Sequence, residues 1–371
     1  MSKSICFVGL QNLPVLAREY NQHGIGGEEV QQTLLARALA RRGYEVSMVV
    51  ADFGQADGTE WDGVKTYGAY KPSDGWPGLR FFVPRLSGMW SALKRANADV
   101  YYVSCASFRV GVCAAYSGVH ARKLIFRIAS DMDCEPDRLL ILQNYWRDKK
   151  MYEYGLRRAD AILAQSVAQQ EALTRNYHLS SSLAPMMVDQ ARLNLTFEER
   201  SVPVLWVSNI RKLKRPDLFF EIAAQLPDLA MHMVGGEISD YSSLYKDVEA
   251  RARSMPNVMF HGQVPYHDVN DYFERTRVFV NTSDIEGFPN SYLQAWVRGT
   301  PVVAFFDPDG LIAKEGLGRA VSSVEEMRAA VAELTSDAAA WRAASERCKS
   351  FMARTFDESR ILEPYLKVIN G

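Results

Sequence analysis

The sequence predicts an α/β protein built from two doubly wound domains in tandem. Short apolar segments alternate with amphipathic helical segments, which is the pattern of parallel sheets covered on both faces by helices. The alternation stops at about 180–203, where serine, proline and charged residues replace it, and then resumes. A chain of 371 residues also exceeds one ordinary hydrophobic core. We therefore expect domains at 1–185 and 204–350, a linker at 186–203, and a final helix within 351–371 that packs back toward the N-terminal domain.

The first domain is predicted to begin with a strand at 4–8, followed by a helix at 28–42. Apolar residues recur on one face of that helix from Val30 to Leu39. Gly43 stands where a helix commonly ends in a glycine. Helical segments separate the further strands predicted for this domain, which are 44–50, 99–104, 123–129 and 160–164.

The second domain is predicted to repeat this order. Its strands are expected at 204–207, 230–234, 258–261, 278–281 and 302–305. Its helices are expected at 216–225, 244–255, 269–275 and 291–298, followed by terminal helices at 325–353 and 359–368. Rossmann-like domains of this kind bind ligands at the carboxyl ends of their strands, so two in tandem predict a central cleft between the two sheets.

Composition excludes several classes of protein. Hydrophobic residues make up 47% and charged residues 23%, which is ordinary for a globular protein and not for a disordered chain. There is no run of 18 apolar residues to predict a transmembrane helix, and the N-terminus predicts a strand and not a signal peptide. The net charge of −1 gives no support for a nucleic-acid partner. The five scattered cysteines predict reduced thiols in a cytoplasmic protein, without a metal site.

The most informative segment runs from residue 278 to 304. It predicts a strand, then a loop, then a helix that begins near Asn290 and Ser291. Unpaired N–H groups and the helix dipole favour an anion at such a helix start, so the segment could hold a diphosphate. Gln294 follows Glu286 by eight residues and is predicted to face the same site. The candidate ligand-binding residues of this segment are Glu286, Gly287, Phe288, Asn290, Ser291 and Gln294.

This segment resembles the signature of the retaining glycosyltransferases of family 4, whose GT-B fold has two Rossmann-like domains facing a central cleft. That signature joins a loop glutamate, a second glutamate eight positions later, and Gly-Thr-Pro-Val-Val, which stands here at 299–303. The resemblance implies that Glu286 lies beside the donor sugar and Gln294 binds the ribose. Gln294 departs from the family, and a neutral acceptor implies weaker donor binding or an altered nucleotide preference. The alternative is a loop glutamate and a surface glutamine without a function.

A second motif covers residues 205–218 and predicts a strand, a basic loop and a helix. The family has an arginine where Asn209 stands and a lysine where Lys214 stands, and both cations neutralise the donor diphosphate. Arg211 or Lys212 could supply the charge that Asn209 lacks. The alternative is a solvated basic turn.

Glycines form the third group of candidate residues. Gly235 and Gly262 stand in turns that resemble the nucleotide-facing turns of the family. Gly26 and Gly27 precede the first helix and resemble a family segment that borders the donor phosphate and the acceptor. A glycine loop that opens a helix also allows a phosphate or sugar to approach the backbone closely.

One family feature is missing from the first domain. The family commonly ends a strand there in a histidine that contacts the donor sugar, whereas this sequence has Ser130 and Asp131. The resemblance implies that Asp131 or Ser130 replaces the histidine. Asp131 and Asp133 also spell the metal-binding Asp-x-Asp of the other glycosyltransferase fold, which we interpret as chance.

Residues 76–95 mix aromatic with basic residues and allow two interpretations. The segment could lie on a membrane surface and present a lipid-linked acceptor. It could also be an ordinary core helix over 86–96 with a basic edge, which we favour. A net charge of +4 over residues 1–185, against −5 over the remainder, would tolerate an anionic surface.

Taken together, the resemblance implies a glycosyltransferase that needs no cofactor or metal. It would move a sugar from a nucleoside diphosphate sugar to a hydroxyl acceptor, with retention, in cell-surface polysaccharide biosynthesis. The second domain would bind the donor, and the first a glycan or lipid-linked saccharide, with possible peripheral contact at the inner face of a membrane. The residues expected to carry catalysis are Glu286, Lys214, Arg211 and Asp131.

Two alternatives stay open. A catalytically silent nucleotide-sugar-binding protein is supported by Asn209, by Gln294 and by the absent histidine. A GT-B sugar-nucleotide epimerase would share the cleft, but it would need carboxylate and histidine acid–base groups that the motifs do not supply.

Overall fold

The computed structural model describes residues 3–20, 25–71, 73–76, 78–137, 139 and 145–371. The chain forms two compact units. The first comprises Met1–Met187 together with Glu358–Gly371, and the second comprises Val188–Asp357. Each unit is a mostly parallel sheet with helices, which confirms the predicted α/β class.

The sheet of the first unit has the strand order β3-β4-β2-β1-β5-β6-β7-β8. These strands are β1 (Ser4–Val8), β2 (Glu45–Val50), β3 (Glu60–Trp61), β4 (Val64–Gly68), β5 (Val100–Ser104), β6 (Lys123–Arg127), β7 (Ala161–Ala164) and β8 (Ser182–Leu183). Neighbouring strands run parallel except β3 and β4, which form an antiparallel edge. The central strands are buried along nearly their whole length, as expected of strands covered on both faces.

Helices follow most of these strands. They are α1 (Leu13–Leu16), α2 (Gly27–Arg41), α3 (Ser87–Ala96), α4 (Phe108–His120), α5 (Trp146–Leu156) and α6 (Val167–Tyr177). Helix α3 buries Met89, Ala92 and Leu93, which follow the i, i+3, i+4 spacing of a core-facing helix. The core-helix interpretation of this stretch is therefore confirmed for α3, although the helix begins at Ser87.

The sheet of the second unit has the parallel order β11-β10-β9-β12-β13-β14. Its strands are β9 (Val202–Val207), β10 (Met231–Val234), β11 (Val258–Phe260), β12 (Thr276–Asn281), β13 (Val302–Ala304) and β14 (Gly318–Ala320). Its helices are α7 (Pro216–Ala224), α8 (Ser242–Arg253), α9 (Tyr266–Glu274), α10 (Asn290–Val297), α11 (Leu311–Glu315), α12 (Val324–Ser336) and α13 (Ala338–Thr355). Trp206 and Trp296 are among its largest fully buried side chains.

The prediction of a single helix over 325–353 is wrong, because the helix ends before Asp337 and a second helix begins after it. Asp337 has an extended backbone, and its carboxylate accepts hydrogen bonds from the N–H groups of Ala339 and Ala340. An aspartate in this position caps a new helix better than it continues an old one. Two helices, α12 and α13, therefore replace one.

A buried polar network joins the start of the second unit to its sheet. Arg200 is 2% exposed and donates hydrogen bonds to Thr300 Oγ1 and to the carbonyl of Arg298. Arg298 Nε lies 2.8 Å from Glu274 Oε1, and both side chains are almost fully buried. Glu274 also accepts the backbone N–H groups of Arg192 and Leu193. Much of the predicted linker is thus fixed on the second unit.

The chain ends in helix α14 (Glu358–Asn370), which belongs to the first unit. Tyr365 Oη donates to the carbonyl of Pro185 at 2.7 Å, and Lys3 Nζ donates to the carbonyls of Ile369 and Asn370. Arg41 pairs with Glu358 at 2.7 Å. Within the part of the chain that the structure describes, no helix is both long enough and apolar enough to cross a membrane.

Candidate functional site

The carboxyl ends of β9, β10 and β11 lie side by side, and backbone hydrogen bonds join the loops that follow them. Ser208 N donates to the carbonyl of Val234 at 3.1 Å, and Gly235 N donates to the carbonyl of Gly262 at 2.9 Å. The predicted residues Asn209, Gly235 and Gly262 therefore stand on one edge of the second sheet. Ligands of parallel sheets bind at this edge.

Close approach explains the glycines of this edge. A Cβ atom on Gly235 would lie 2.5 Å from the carbonyl oxygen of Ser208. Gly262 has a φ of +64°, a left-handed conformation that side chains disfavour. Asn209 Oδ1 lies 3.2 Å from where a Cβ on Gly236 would stand. The backbone and the side chains of Asn209, Ile210 and Gln263 therefore leave little room for a side chain at positions 235 and 236.

An ion pair between Lys214 and Glu286 forms the centre of the candidate site. Lys214 Nζ lies 2.6 Å from both carboxylate oxygens of Glu286, although the two residues are 72 positions apart. The lysine side chain is 18% exposed and the glutamate 12%. Glu286 Oε1 also accepts hydrogen bonds from Ser283 Oγ at 2.6 Å and Asn281 Nδ2 at 3.3 Å. The carboxylate is thus held in one orientation by three donors.

The loops that carry this pair are joined to each other through the backbone. Thr282 Oγ1 donates to the carbonyl of Lys214 at 2.7 Å, and Trp206 Nε1 in turn donates to Thr282 Oγ1. Asp284 N donates to the carbonyl of Leu213 at 3.0 Å. The loop after β9 and the loop after β12 therefore act as one rigid support. Substituting a single side chain in one loop is expected to shift the other.

The remaining cations of the basic loop are placed differently from Lys214. Arg211 and Lys212 are both exposed. Arg211 precedes a 3₁₀ turn over Lys212–Lys214, and its carbonyl accepts the Lys214 N–H at 3.1 Å. Arg211 therefore lies on the same short turn as Lys214, with a side chain that reaches solvent.

Helix α10 begins next to Glu286, after the short loop that contains Gly287 and Phe288. Pro289 precedes the helix, and no described side chain caps its N-terminus. The Phe288 ring packs near Trp296, which anchors the loop on the buried face of the helix. First-turn N–H groups, including those at Asn290 and Ser291, give this position the anion preference that the sequence predicts.

Gln294 forms hydrogen bonds with neighbouring residues through both its side chain and its backbone carbonyl. Its Nε2 donates to Asn270 Oδ1 at 3.1 Å, and Asn270 Nδ2 donates to Asp189 Oδ2 at 3.0 Å. The carbonyl of Gln294 accepts from Arg298. The amide therefore contacts helix α9, and its contact with a ribose stays a prediction.

Gly26 and Gly27 stand at the N-terminus of α2 in the first unit. Gly26 has an extended backbone with φ −98° and ψ 167°, and its carbonyl accepts the N–H of Val30. A Cβ on Gly26 would lie 2.4 Å from Glu29 Oε2. The carboxylate of Glu29 thus lies over the helix start. Gly24, a further glycine just before this pair in the sequence, lies outside the described residues.

The sequence analysis missed a second ion pair, in the first unit. Arg127 Nη1 lies 3.1 Å from Glu28 Oε2, and the side chains are 1% and 12% exposed. Burial raises the pKa of Glu28 to about 7, against the opposing effects of Arg127 and of a hydrogen bond from Ser104. The available signal was the charged Arg127 inside the apolar run Leu-Ile-Phe-Arg-Ile, because a strand buried on both faces rarely carries an unpaired charge.

Asp131 and Asp133 differ in their surroundings. Asp131 is exposed and accepts from Gln169 Nε2 at 2.9 Å. Asp133 is buried, and its Oδ2 accepts the N–H groups of Ala129 and Ser130. Burial raises the pKa of Asp133 to about 6. Asp133 thus acts as a structural cap, and the described residues contain no cluster of three or more metal-binding side chains.

His232 and His261 lie together on β10 and just after β11. His232 Nδ1 lies 3.0 Å from His261 Nε2, and the rings stack. Burial lowers the pKa of both histidines, and the neighbouring His261 lowers the pKa of His232 further. A neutral hydrogen-bonded pair of this kind fits a structural role at the ends of the two strands.

Two family models match the chain. The model described as "Glycosyl transferases group 1" matches residues 202–337, and the model described as "Glycosyl transferase 4-like domain" matches residues 26–182. Together they span most of the chain. The chain belongs to the group 1 glycosyl transferases. The Lys214–Glu286 pair of this glycosyl transferase lies in the first match, and the Glu28–Arg127 pair lies in the second.

Relatives and solved structures agree with this family. Alpha-galactosylglucosyldiacylglycerol synthase of Streptococcus pneumoniae is 24% identical over 181 residues, which are 48% of this chain and 48% of that protein. The chain thus matches about half the length of this curated relative. Sucrose-phosphate synthase of Thermosynechococcus elongatus aligns with a TM-score of 0.74 at 18% identity, covering 99% of this chain and 98% of that chain. The structure of Anabaena Alr3699/HepE in complex with UDP and glucose aligns with a TM-score of 0.72 at 14% identity, covering 99% of this chain and 99% of that chain. These similarities confirm the predicted GT-B fold.

Proposed function

We propose that this protein transfers a sugar from a nucleoside diphosphate sugar to a hydroxyl acceptor, with retention at the anomeric carbon. The observation that carries the proposal is the Lys214–Glu286 pair. It places a cation and a carboxylate 2.6 Å apart on the ligand-binding edge of a parallel sheet, next to a helix start. A donor diphosphate needs the cation, and a sugar that develops positive charge needs the carboxylate.

The donor is assigned to the second unit. Lys214 and Arg211 would neutralise the diphosphate, together with the first-turn N–H groups at Asn290 and Ser291. Asn209, Gly235 and Gly262 would allow the nucleotide to approach the backbone, and Gln294 would accept a hydrogen bond from the ribose. UDP is bound in the Anabaena structure, so uridine nucleotides are the first donors to test.

The proposed reaction is a front-face displacement. The bond between the anomeric carbon and the diphosphate oxygen breaks as a bond to the acceptor oxygen forms on the same face. The acceptor proton passes to the leaving diphosphate oxygen. Lys214 stabilises the charge that develops on the diphosphate, and Glu286 stabilises the positive character of the sugar. This chemistry requires neither a metal ion nor a cofactor.

The acceptor is assigned to the first unit. Gly26 and Gly27 would let the acceptor approach the backbone at the start of α2, beside the Glu29 carboxylate, and Asp131 would offer an exposed carboxylate in place of the family histidine. The S. pneumoniae relative is named as the synthase of a glycosylated diacylglycerol, which supports a lipid-linked saccharide as acceptor. We place the protein in cell-surface glycan biosynthesis, in the cytoplasm and at the inner face of a membrane.

The test is a thermal-shift screen of UDP, GDP, ADP and TDP and their sugar conjugates, followed by a turnover assay. Wild type is compared with Lys214→Ala. The control is Arg342→Ala, which removes a cation from an ion pair with 57% and 61% exposed side chains. One nucleotide series should raise the midpoint of wild type and of Arg342→Ala but not of Lys214→Ala.

Turnover then separates the proposal from its alternative. Hydrolysis or transfer by wild type supports the transferase. Binding without turnover, for every conjugate and acceptor tried, would instead support a catalytically silent nucleotide-sugar-binding protein.

A further inference from the structure

The first unit carries an exposed apolar surface that the proposed site does not use. We call it the aromatic patch, and its members are Trp76, Leu79, Phe82, Val83, Tyr145 and Trp146. Trp76 is 79% exposed and Trp146 is 72% exposed. A protein without a partner rarely leaves two tryptophans in water, because each offers a large apolar area for burial.

Arg147 shows that the two segments of the patch are neighbours. Its guanidinium lies over the ring of the buried Phe81, 3.4 Å from the centroid, and 5.1 Å from the centroid of Tyr145. Phe81 in turn contacts Phe82 edge-on and packs on Phe108 of helix α4. Residues on both sides of Arg147 therefore form one surface, and Phe81 anchors that surface to the core.

The charges around the aromatic patch are mostly positive. Arg80 is exposed, Arg85 is partly buried, and neither forms an ion pair with any residue that the structure describes. The one acidic side chain within 145–150 is Asp148, which pairs with Arg147 at 2.9 Å. Lys149 and Lys150 share one acidic partner, Glu153, and Asp74 is a further exposed acidic residue near Trp76, so the cations still outnumber the carboxylates. Aromatic side chains rimmed by arginine and lysine are typical of surfaces that bind the interface of an anionic bilayer.

We infer that the aromatic patch docks the protein on an anionic lipid bilayer. Tryptophan and tyrosine place their rings at the level of the lipid headgroups, while Arg80 and Arg85 contact the phosphates. A second copy of the chain is a poorer occupant, because a two-fold contact would oppose the patch to itself and bring its cations together. The inference rests on the proposed function only in that a lipid-linked acceptor gives such docking a purpose.

The experiment is co-flotation of the full chain with vesicles of phosphatidylcholine, alone or mixed with phosphatidylglycerol. Wild type is expected to float with the mixed vesicles and to be released by salt. The variant Trp76→Ser/Trp146→Ser should bind at least about tenfold more weakly. Arg80→Glu/Arg85→Glu should also lose binding to the anionic vesicles. The matched control is Val119→Ser, which removes an exposed apolar side chain elsewhere in the first unit.

Two results would overturn the inference. One is that the wild-type protein does not bind anionic vesicles, or that the tryptophan variant binds them as tightly as wild type. The other is a concentration-dependent dimer that the tryptophan variant abolishes, seen by analytical ultracentrifugation without vesicle binding. Nucleotide binding is measured on the same samples, and it should be equal in wild type and all variants. Lost nucleotide binding with intact vesicle binding would count against the proposed transferase and leave the membrane surface in place.

Discussion

Two ion pairs of the second unit differ in what surrounds them. Glu274 and Arg298 are almost fully buried, and their remaining hydrogen bonds go to the backbone of Arg192, Leu193 and Gln294. Lys214 Nζ and Glu286 Oε1 are closer together, at 2.6 Å, but both side chains are partly exposed at the carboxyl edge of the sheet. An enclosed pair has only fixed partners, so it holds the fold together. A pair at a ligand-binding edge is able to exchange one partner for a ligand, and this exchange is the proposed role of Lys214.

The largest expected effect is on the enclosed pair. Arg298→Met leaves Glu274 buried without its cation, and the free energy of unfolding should fall by about 3–5 kcal/mol. Urea unfolding of wild type and variant measures it. The double variant Arg298→Met/Glu274→Leu should recover part of the loss. A loss below about 1 kcal/mol would show that this pair is not structural.

The second effect is on catalysis. Lys214→Ala should lower kcat by about 100- to 1000-fold, the magnitude found when a donor that stabilises developing charge is removed. Because the side chain is partly exposed, the unfolding free energy should change far less than in Arg298→Met. Steady-state turnover of the donor identified in the nucleotide screen gives the rate. A variant with normal kcat would remove Lys214 from the proposed chemistry.

The third effect concerns the first unit and depends on pH. The pKa of Glu28 is about 7 in the folded protein, above its ordinary 4.5, because the carboxyl is buried. The unfolded chain therefore ionises Glu28 between pH 4.5 and 7 while the folded chain keeps the proton, so folding loses stability as pH rises through this range. Glu28→Gln lacks this carboxyl and should not show that loss. The difference in unfolding free energy between variant and wild type should therefore shift by about 2 kcal/mol in favour of the variant as the pH is raised from 5 to 7.5.

Urea unfolding at several pH values measures this difference. Arg127, Glu29 and Asp133 interact with Glu28 and are present in both proteins, so the difference isolates the one carboxyl. Parallel pH profiles for wild type and Glu28→Gln would contradict the raised pKa.

The smallest expected effect is a gain in affinity for the nucleoside diphosphate. Asn209→Arg restores the cation that the family has at this position, and a charged hydrogen bond exceeds a neutral one by about 1 kcal/mol. Affinity for the nucleoside diphosphate should therefore rise about fivefold, measured by calorimetry. Thr59→Arg, an added cation on the first unit, serves as the control. Unchanged affinity would mean that residue 209 does not face the diphosphate.

The sequence predicted the sheets well, because strands buried on both faces form continuous apolar runs that stand out from their surroundings. It missed the antiparallel edge of β3 and β4. β3 has only two residues, and in β4 the exposed Lys65 lies between the buried Val64 and Thr66, so the apolar run is too short to recognise. It also missed the break at Asp337, because the flanking alanines and apolar residues favour a helix on both sides.

Within the candidate site, the sequence predicted residues but not partners. Glu286 and Lys214 were expected to serve the sugar and the diphosphate separately, and the structure pairs them at 2.6 Å. Glu28 and Arg127 lie 99 positions apart, and no local spacing indicates such a contact. Contacts of this kind depend on which strands are neighbours, which the periodicity of a single sequence does not specify.

The most direct test is calorimetric titration of UDP into the charge-swapped variant Lys214→Glu/Glu286→Lys. The swap keeps two opposite charges in contact, and urea unfolding on the same samples checks that the variant stays folded. If Lys214 exchanges its partner for the diphosphate, the variant should bind UDP at least about tenfold more weakly, because a carboxylate now stands where the cation is needed. Wild-type affinity in the swapped protein would show that the pair only supports the loops.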